Sequence, residues 1–138
     1  MTLNTNVVQF AQSKMGQRVG TGECFDLADQ ALRSTGARSA ADYGRITRTA
    51  DYIWGQVVSL ALTRPGDIIQ FRSYTETIIT TIDYADGSGE TLTQTNSRPH
   101  HTAIVCTIQS NGRRGVYEQN VANVRRVVIN DLHFQTHT

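Results

Sequence analysis

Three short stretches of the sequence contain the side-chain types that a cysteine-based catalytic site requires. Cys24 lies in GECFDLADQAL, His101 lies in HHTAIV, and Glu118 and Asn120 lie in VYEQN. A cysteine nucleophile needs an imidazole that accepts its proton and a polar group that orients the imidazole. All of these groups are present, so the elements that position them decide whether they meet.

Cys24 stands where the sequence predicts the start of a helix. Backbone N–H groups point outward from a helix N-terminus and the helix dipole favours negative charge there, so a thiol at this place ionises more readily. The alternative is that Cys24 packs as a small apolar residue beside Leu27 and Ala28, which is the commoner role of an isolated cysteine. Position alone favours the alternative, and both interpretations stay open.

Strand alternation separates the two adjacent histidines. If HTAIV is a strand, His101 faces one side of the sheet and His100 faces the other. In VYEQN, Glu118 and Asn120 share a face and Gln119 opposes them, so an acid and an amide could approach His101 from a neighbouring strand. Each of these residues taken singly is more often a surface residue, so only the set indicates a site.

Composition excludes several classes of function. The chain has 138 residues, of which 38% are apolar, and this suffices for one domain that spans residues 1–138. Thirteen Lys and Arg against twelve Asp and Glu, with no basic stripe, give no indication of nucleic acid as a partner. No apolar run has the length of a membrane span, and the N-terminal stretch lacks the pattern of a signal peptide.

The cysteine count argues against disulfides and metals. Cys24 and Cys106 are too few for a disulfide framework, and we expect no bond between them. Zinc binding by a cysteine together with His100, His101 and His133 is a third option, but these residues lack the spacing of zinc ligands. We therefore expect no metal and no cofactor.

Apolar periodicity predicts two helices in the first part of the chain. The first covers residues 5–15, with Asn4 or Asn6 as the N-cap and Gly16 after its end. The second covers residues 24–33. Residues 49–62, TADYIWGQVVSLAL, could hold a third helix, although the pattern there is mixed.

The sequence predicts an antiparallel sheet in the remainder of the chain. Short runs rich in β-formers follow RPG and are joined by turn signals such as DGSG and NG. Helices followed by consecutive strands predict an α+β domain with its helices on one face of the sheet. The predicted strands are DIIQF, TETIITTIDY, ETLTQT, TAIVCTIQ, GVYEQNV and RRVVIN.

Four sequence blocks in this order resemble a known family. GECFDLADQAL, RPGDIIQF, HTAIV and VYEQNV resemble the CHAP amidases and their NlpC/P60 relatives, which are papain-like cysteine hydrolases. The resemblance covers roughly residues 5–130. A similar order of blocks also resembles the cysteine-proteinase-fold domain of some fungal actin-patch adaptor proteins, for which catalysis is less secure. Both resemblances imply a papain-like fold.

The first resemblance implies a role for each candidate residue. Cys24 is the nucleophile, His101 the base, Glu118 the residue that orients the imidazole, and Asn120 a secondary polar partner. The implied activity is hydrolysis of amide bonds in a peptide or in peptidoglycan, with peptidoglycan as the expected substrate. The alternative is a weakly active or inactive papain-like domain that binds a peptide or protein partner.

Two further expectations concern the surroundings of the nucleophile. Asp26 and Asp67 match family positions but are expected to be structural, because short acids in a helix first turn or after a turn satisfy backbone donors. The backbone N–H of Cys24 is one natural oxyanion donor, and Gln17 and Arg18 are the candidates for a side-chain donor.

Two features leave the biological setting open. The hairpin at residues 72–99 is longer than is typical of the family, and it forms a lid, a rim that faces the substrate, or an extension of the sheet. Without a signal peptide we expect a cytoplasmic protein, or one that reaches peptidoglycan through phage lysis or a dedicated secretion system.

Overall fold

Two helices precede one antiparallel sheet in the computed structural model, which describes residues 2–47, 52–110 and 112–134. Within these ranges the sheet has four strands in the spatial order β1-β2-β3-β4. No helix in the described residues is long and apolar enough to cross a membrane. The predicted α+β class is confirmed. The elements are α1 Leu3–Ser13, α2 Cys24–Ser34, β1 Ile68–Asp83, β2 Gly89–Ile108, β3 Arg113–Glu118 and β4 Val128–His133.

The first helix begins earlier than predicted. Its N-cap is Thr2, whose hydroxyl accepts a hydrogen bond from the backbone N–H of Thr5 at 3.2 Å. Asn4 and Asn6, the predicted caps, lie inside the helix, and the helix ends at Ser13. The threonine has extended backbone angles, as an N-cap requires, so it takes the capping role that the asparagines were expected to have.

The second helix begins at Cys24, as predicted, and is strongly amphipathic. Its apolar residues recur at helical spacing, so they form one face that packs against α1 and against the sheet. The buried residues that meet in this core are Val7, Ala11, Val19, Leu27, Ala31, Leu32, Ile104, Tyr117 and Val127.

The six predicted strands are four in the structure. β1 and β2 pair from Ile68 with Ile104 to Asp83 with Gly89, so the runs before and after residues 72–74 belong to one strand, and β2 likewise joins two runs. The hairpin therefore extends the sheet. β4 begins later than predicted, at Val128.

An irregularity interrupts side-chain alternation in this hairpin. β1 and β2 are paired on either side of Ser73 and Pro99, but these two residues are not paired with each other. Ser73 has a φ of 55°, in the left-handed region. Phe71 and Tyr74, three residues apart, have ring centroids only 5.3 Å apart. The register is the same on both sides, so no residue is inserted, but side chains exchange faces across this point.

The helix considered for residues 49–62 is not observed where the structure describes this segment. Residues 49–51 lie outside the described residues, residues 52–59 are not helical, and only Leu60–Leu62 forms a short 3₁₀ turn. Val57 is 92% exposed, so the apolar residues of this segment do not form the buried stripe that a helix would need.

The turn before β1 is held by close contact with α1. The backbone N–H of Gly66 donates to Val105 at 2.8 Å, and the Asn4 side chain donates to Pro65 and Asp67. Gly66 has a φ of 93°, and a Cβ at this position would lie 2.7 Å from the Cα of Asn4. Only glycine fits here.

We expect Gly66→Ala to lower the free energy of unfolding by about 2 kcal/mol or more, because it combines left-handed strain with a backbone clash. The matched control is Gly87→Ala in the exposed hairpin turn, where φ is 89° but no atom lies within 4 Å of the added Cβ. This control should cost only about 1 kcal/mol. Denaturant unfolding measures both, and equal losses would contradict the close-contact argument.

Candidate active site

The N-terminus of α2 meets the start of the buried part of β2 at the side chains of Cys24 and His101. The imidazole lies close enough to the thiol that each group shifts the pKa of the other. His101 Nε2 lies 3.1 Å from Glu118 Oε1 on β3, which leaves Nδ1 as the ring nitrogen available to the thiol. The structure thus brings three of the four predicted site residues together.

Strand alternation assigns the histidines as predicted. His101 packs on Phe71 with ring centroids 5.7 Å apart and is 5% exposed. His100 is half-buried and packs edge-on against Tyr52 at 5.5 Å. His101 is therefore the histidine whose ring lies between Cys24 and Glu118.

Opposing effects act on the pKa of the Cys24 thiol. Burial raises the pKa, whereas the hydrogen bond and charge of His101 and hydrogen bonds to the backbones of Thr102 and Phe25 lower it. The net result is a pKa below the ordinary thiol value. A thiolate is the form of cysteine that attacks a carbonyl carbon, so the environment favours a nucleophile over a passive core residue.

The pKa of His101 moves in the complementary direction. Burial lowers it, but hydrogen bonds and charges of Cys24 and Glu118 raise it, and the net pKa lies above the ordinary value. A lowered thiol pKa beside a raised imidazole pKa shifts the equilibrium towards a thiolate–imidazolium pair.

The Glu118 carboxylate is surrounded by donors, and its residue is fully buried. Besides His101, it accepts two hydrogen bonds from Arg98, at 2.7 and 2.9 Å, and one from Asn130 at 2.8 Å. Burial raises the pKa of Glu118, but these hydrogen bonds and the charge of Arg98 bring it down to about 2. Glu118 is therefore a carboxylate at neutral pH.

Asn120 lies elsewhere than expected. Its amide donates to Glu23 at 3.0 Å, and its backbone has a φ of 65° just beyond the end of β3. The alternation that predicted Asn120 on the face of Glu118 does not continue past the strand end. The asparagine that contacts Glu118 is Asn130, on β4.

Gln119 fixes the segment that precedes the nucleophile. Its Oε1 accepts from the backbone N–H of Val19 at 2.8 Å, and its Nε2 donates to the carbonyls of Val19 and Glu23 at 2.9 Å each. The residue is fully buried. One amide side chain thus ties the loop before Cys24 to the end of β3.

The two aspartates of the family pattern are structural, as predicted. Asp26 Oδ2 accepts from the backbone N–H groups of Thr21 at 2.9 Å and Glu23 at 3.4 Å. Asp67 accepts from the backbone N–H of Arg64 at 2.8 Å. Both carboxylates satisfy backbone donors at the start of an element.

The two candidate oxyanion residues stand apart from this network. The Gln17 amide donates to the Ser13 carbonyl at 3.2 Å, and Arg18 is exposed. The backbone N–H of Cys24, in the first turn of α2, remains a natural donor because the first helical N–H groups have no partner within the helix.

Four rings form a cluster beside the nucleophile. Phe25 lies 5.2 Å from Tyr52 and 5.3 Å from Trp54, and Tyr52 also contacts His100. Burial and the nearby charge of Cys24 raise the pKa of the Tyr52 phenol. The rings are half-buried, and we call Phe25, Tyr52, Trp54 and His100 the aromatic cluster.

Three residues of the site were missed in the sequence. Arg98, Gln119 and Asn130 act through contacts that join separate elements, and their types are common on surfaces. The only sequence signal was for Gln119, which lies between Glu118 and Asn120 in the family-like block VYEQNV. Both cysteines are free thiols, and no cluster of three or more His, Cys, Asp or Glu in the described ranges could hold a metal ion.

We expect iodoacetamide near pH 7 to modify Cys24 at least tenfold faster than Cys106, because Cys24 lies at a helix N-terminus beside His101 and the pKa of its thiol is lowered. Peptide mass spectrometry over a time course separates the two rates. His101→Ala should remove the difference, whereas His100→Ala should leave most of it. Fast labelling that survives loss of the His101 imidazole would assign the activation to the helix N-terminus alone.

Glu118 also predicts a pH dependence of stability. Its folded pKa, about 2, lies below the unfolded value of about 4.5, so its contribution is complete above pH 4.5 and is lost as pH falls towards 2. We expect the unfolding free energy of the wild type to fall more steeply over this window than that of Glu118→Gln. Parallel curves from denaturant titrations at several pH values would contradict the assignment.

Comparison with known proteins identifies the family. Residues 2–135 match the AIM3/BBC1 cysteine proteinase-fold domain. Altered inheritance of mitochondria protein 3 of Debaryomyces hansenii is 32% identical over 145 residues, which cover 96% of this chain and 14% of that protein. The chain thus spans about a seventh of the length of this curated relative.

Two solved structures are similar in fold. The crystal structure of Ly7917 has a TM-score of 0.51 and 22% identity, and its complex with the hydrolyzing product of MDP has a TM-score of 0.47 and 17% identity. Each match covers 96% of this chain and 57% of the other.

The family match confirms the second of the two resemblances, to the cysteine-proteinase-fold domain of fungal adaptors, and the papain-like fold that both implied. It gives no support to the narrower assignment to the CHAP amidases. With two helices on an antiparallel sheet and a match over residues 2–135, the chain belongs to the AIM3/BBC1 cysteine proteinase-fold domain family.

Proposed function

We propose that the domain is a thiol hydrolase that acts on amide bonds of a peptide or protein, with Cys24 as the nucleophile and His101 as the base. One observation carries the proposal: the ring of His101 lies 3.1 Å from the buried Glu118 carboxylate and close enough to Cys24 to lower the pKa of its thiol. This is the relation of nucleophile, base and orienting group that acyl transfer requires.

The chemical steps follow from the positions of these groups. His101 holds the proton of the Cys24 thiol, and the thiolate attacks the carbonyl carbon of the substrate. The imidazolium then donates this proton to the departing amine, which leaves a thioester on Cys24. Water loses a proton to His101 as it attacks the carbonyl carbon of the thioester. The C–S bond then breaks, the carboxylic acid product leaves, and the thiolate of Cys24 and the imidazolium of His101 are restored.

Charge on the tetrahedral intermediate is stabilised by the start of α2. The backbone N–H of Cys24 belongs to the first turn, where the helix dipole favours a negative charge. Gln17 and Arg18 are not part of the proposal.

The proposed substrate is a protein segment and not peptidoglycan. The family relationship includes a yeast protein and offers no support for the peptidoglycan substrate expected from the first resemblance. The aromatic cluster next to Cys24 offers apolar surface for the side chains of a bound peptide. Tyr52 and Trp54 also line a cavity of about 550 Å³ that continues this surface.

A binding module without turnover is the second candidate function. The family relationship supports it better than it supports turnover, because the named relative is a much longer protein of which this domain corresponds to 14%. Exposed apolar residues that line the cavity, among them Ile53, Val57 and Val58, suit contact with a protein segment. In this function the surface beside Cys24 holds a peptide without cleaving it.

Turnover decides between the two functions. We expect the wild type to cleave members of a library of quenched-fluorescent peptides and Cys24→Ala to retain less than about 1% of the rate, because the nucleophile is lost. Cys106→Ala is the matched control and should keep its turnover. Circular dichroism checks that each variant is folded.

Measurements of peptide affinity show whether the domain binds peptides without cleaving them. If the folded wild type cleaves no library member while peptides bind equally to wild type and Cys24→Ala, the domain is a binding module and the hydrolase proposal is wrong. If Cys24 is alkylated fast but no peptide is cleaved, only the proposed substrate class is wrong.

A further inference from the structure

We propose that Arg98 is a positioning residue of the Cys24 site. Its guanidinium holds the Glu118 carboxylate against His101, and the negative charge of this carboxylate is shared between the guanidinium and the imidazole. The inference rests on the thiol–imidazole pair of the proposed function, and it concerns the control of that pair. Arg98 does not contact the thiol among the hydrogen bonds described, so it acts through Glu118.

The contact between Arg98 and Glu118 has the geometry of a two-point clamp. Arg98 Nε donates to Oε1 at 2.7 Å and Nη2 donates to Oε2 at 2.9 Å. The two side chains are 7% and 0% exposed. A bidentate guanidinium–carboxylate pair fixes the plane of the carboxylate, which a single-point donor does not do. The orientation of Oε1 towards His101 is therefore set by Arg98.

Arg98 is itself held in place from its own strand. Its Nη1 donates to the Ser97 carbonyl at 2.9 Å. Strict alternation would place Arg98 on the face opposite His101, because the two residues are an odd number of positions apart. The irregularity at Ser73 and Pro99 reverses the faces, so both side chains meet the same carboxylate.

The shared oxygen gives Arg98 an electrostatic effect on the imidazole. Oε1 of Glu118 lies within hydrogen-bonding distance of both Arg98 Nε and His101 Nε2. The positive charge of Arg98 offsets part of the carboxylate charge, so His101 is less easily protonated than it would be beside an isolated carboxylate. Loss of this charge should make each deprotonation of the Cys24–His101 pair less favourable.

Two further charged groups near the network, Glu76 of β1 and Arg113 of β3, form an ion pair with each other at 2.9 Å. The charge of Glu76 and the phenol of Tyr74 act on Arg98. The titratable and charged groups that face the network are thus Cys24 from α2, Tyr74 and Glu76 from β1, Arg98 and His101 from β2, and Arg113 and Glu118 from β3.

The test is the pH at which Cys24 alkylation by iodoacetamide reaches half its plateau rate, measured on the full chain. Arg98→Gln removes the charge but keeps a donor, and we expect the midpoint to rise by about one pH unit. Glu118→Gln removes the opposite charge and should lower the midpoint. Arg98→Lys should keep the midpoint near that of wild type but lower peptide turnover, because an ammonium does not hold the carboxylate at two points.

A merely structural role for Arg98 would lower the folded fraction without moving the midpoint. An unchanged midpoint in folded Arg98→Gln overturns the inference. If that variant does not fold, the double variant Arg98→Gln, Glu118→Gln replaces the ion pair by an amide pair, and its midpoint should lie near that of wild type and above that of Glu118→Gln alone. A double variant whose midpoint equals that of Glu118→Gln contradicts the inference.

The same experiment separates this inference from the proposed function. If Cys24 of the wild type titrates like Cys106, the thiol is not activated and the proposed function fails. If Cys24 is activated but does not respond to the charge at position 98, only the role of Arg98 is wrong.

Discussion

The carboxylate of Glu118 is fully buried, and a charge in this environment costs several kcal/mol unless donors surround it. Arg98 on β2 and Asn130 on β4 supply such donors, and His101 completes the set. Each partner comes from a strand next to β3, so the requirement to satisfy one carboxylate fixes three strands relative to one another. His101 is held in the same arrangement, which means that the geometry of the proposed site and the stability of the sheet depend on the same hydrogen bonds.

The residue after Glu118 extends this control to the nucleophile. Gln119 faces away from the carboxylate network and binds the backbones of Val19 and Glu23, directly before Cys24. Two adjacent residues at the end of β3 thereby hold His101 on one side and the loop before Cys24 on the other. Packing of α2 on the sheet supports the same arrangement.

The charge shared between Arg98 and His101 bears on both candidate functions. A hydrolase needs an imidazolium that is stable enough to form a thiolate yet acidic enough to protonate the departing amine. A carboxylate that is partly neutralised by a guanidinium raises the basicity of the imidazole less than an isolated carboxylate would. The aromatic cluster beside Cys24 provides apolar surface in either case.

The sequence by itself determined the features that depend on local periodicity. Apolar spacing placed the start of α2 at Cys24, and strand alternation separated His101 from His100 and put Glu118 on the side of His101. Tertiary structure decided the rest where periodicity ends or reverses. Asn120 left the predicted face because β3 stops before it, and Arg98 reached the site because Ser73 and Pro99 invert the alternation. Gln119 and Asn130 found partners on other elements, since hydrogen bonds between elements leave no regular spacing in the chain.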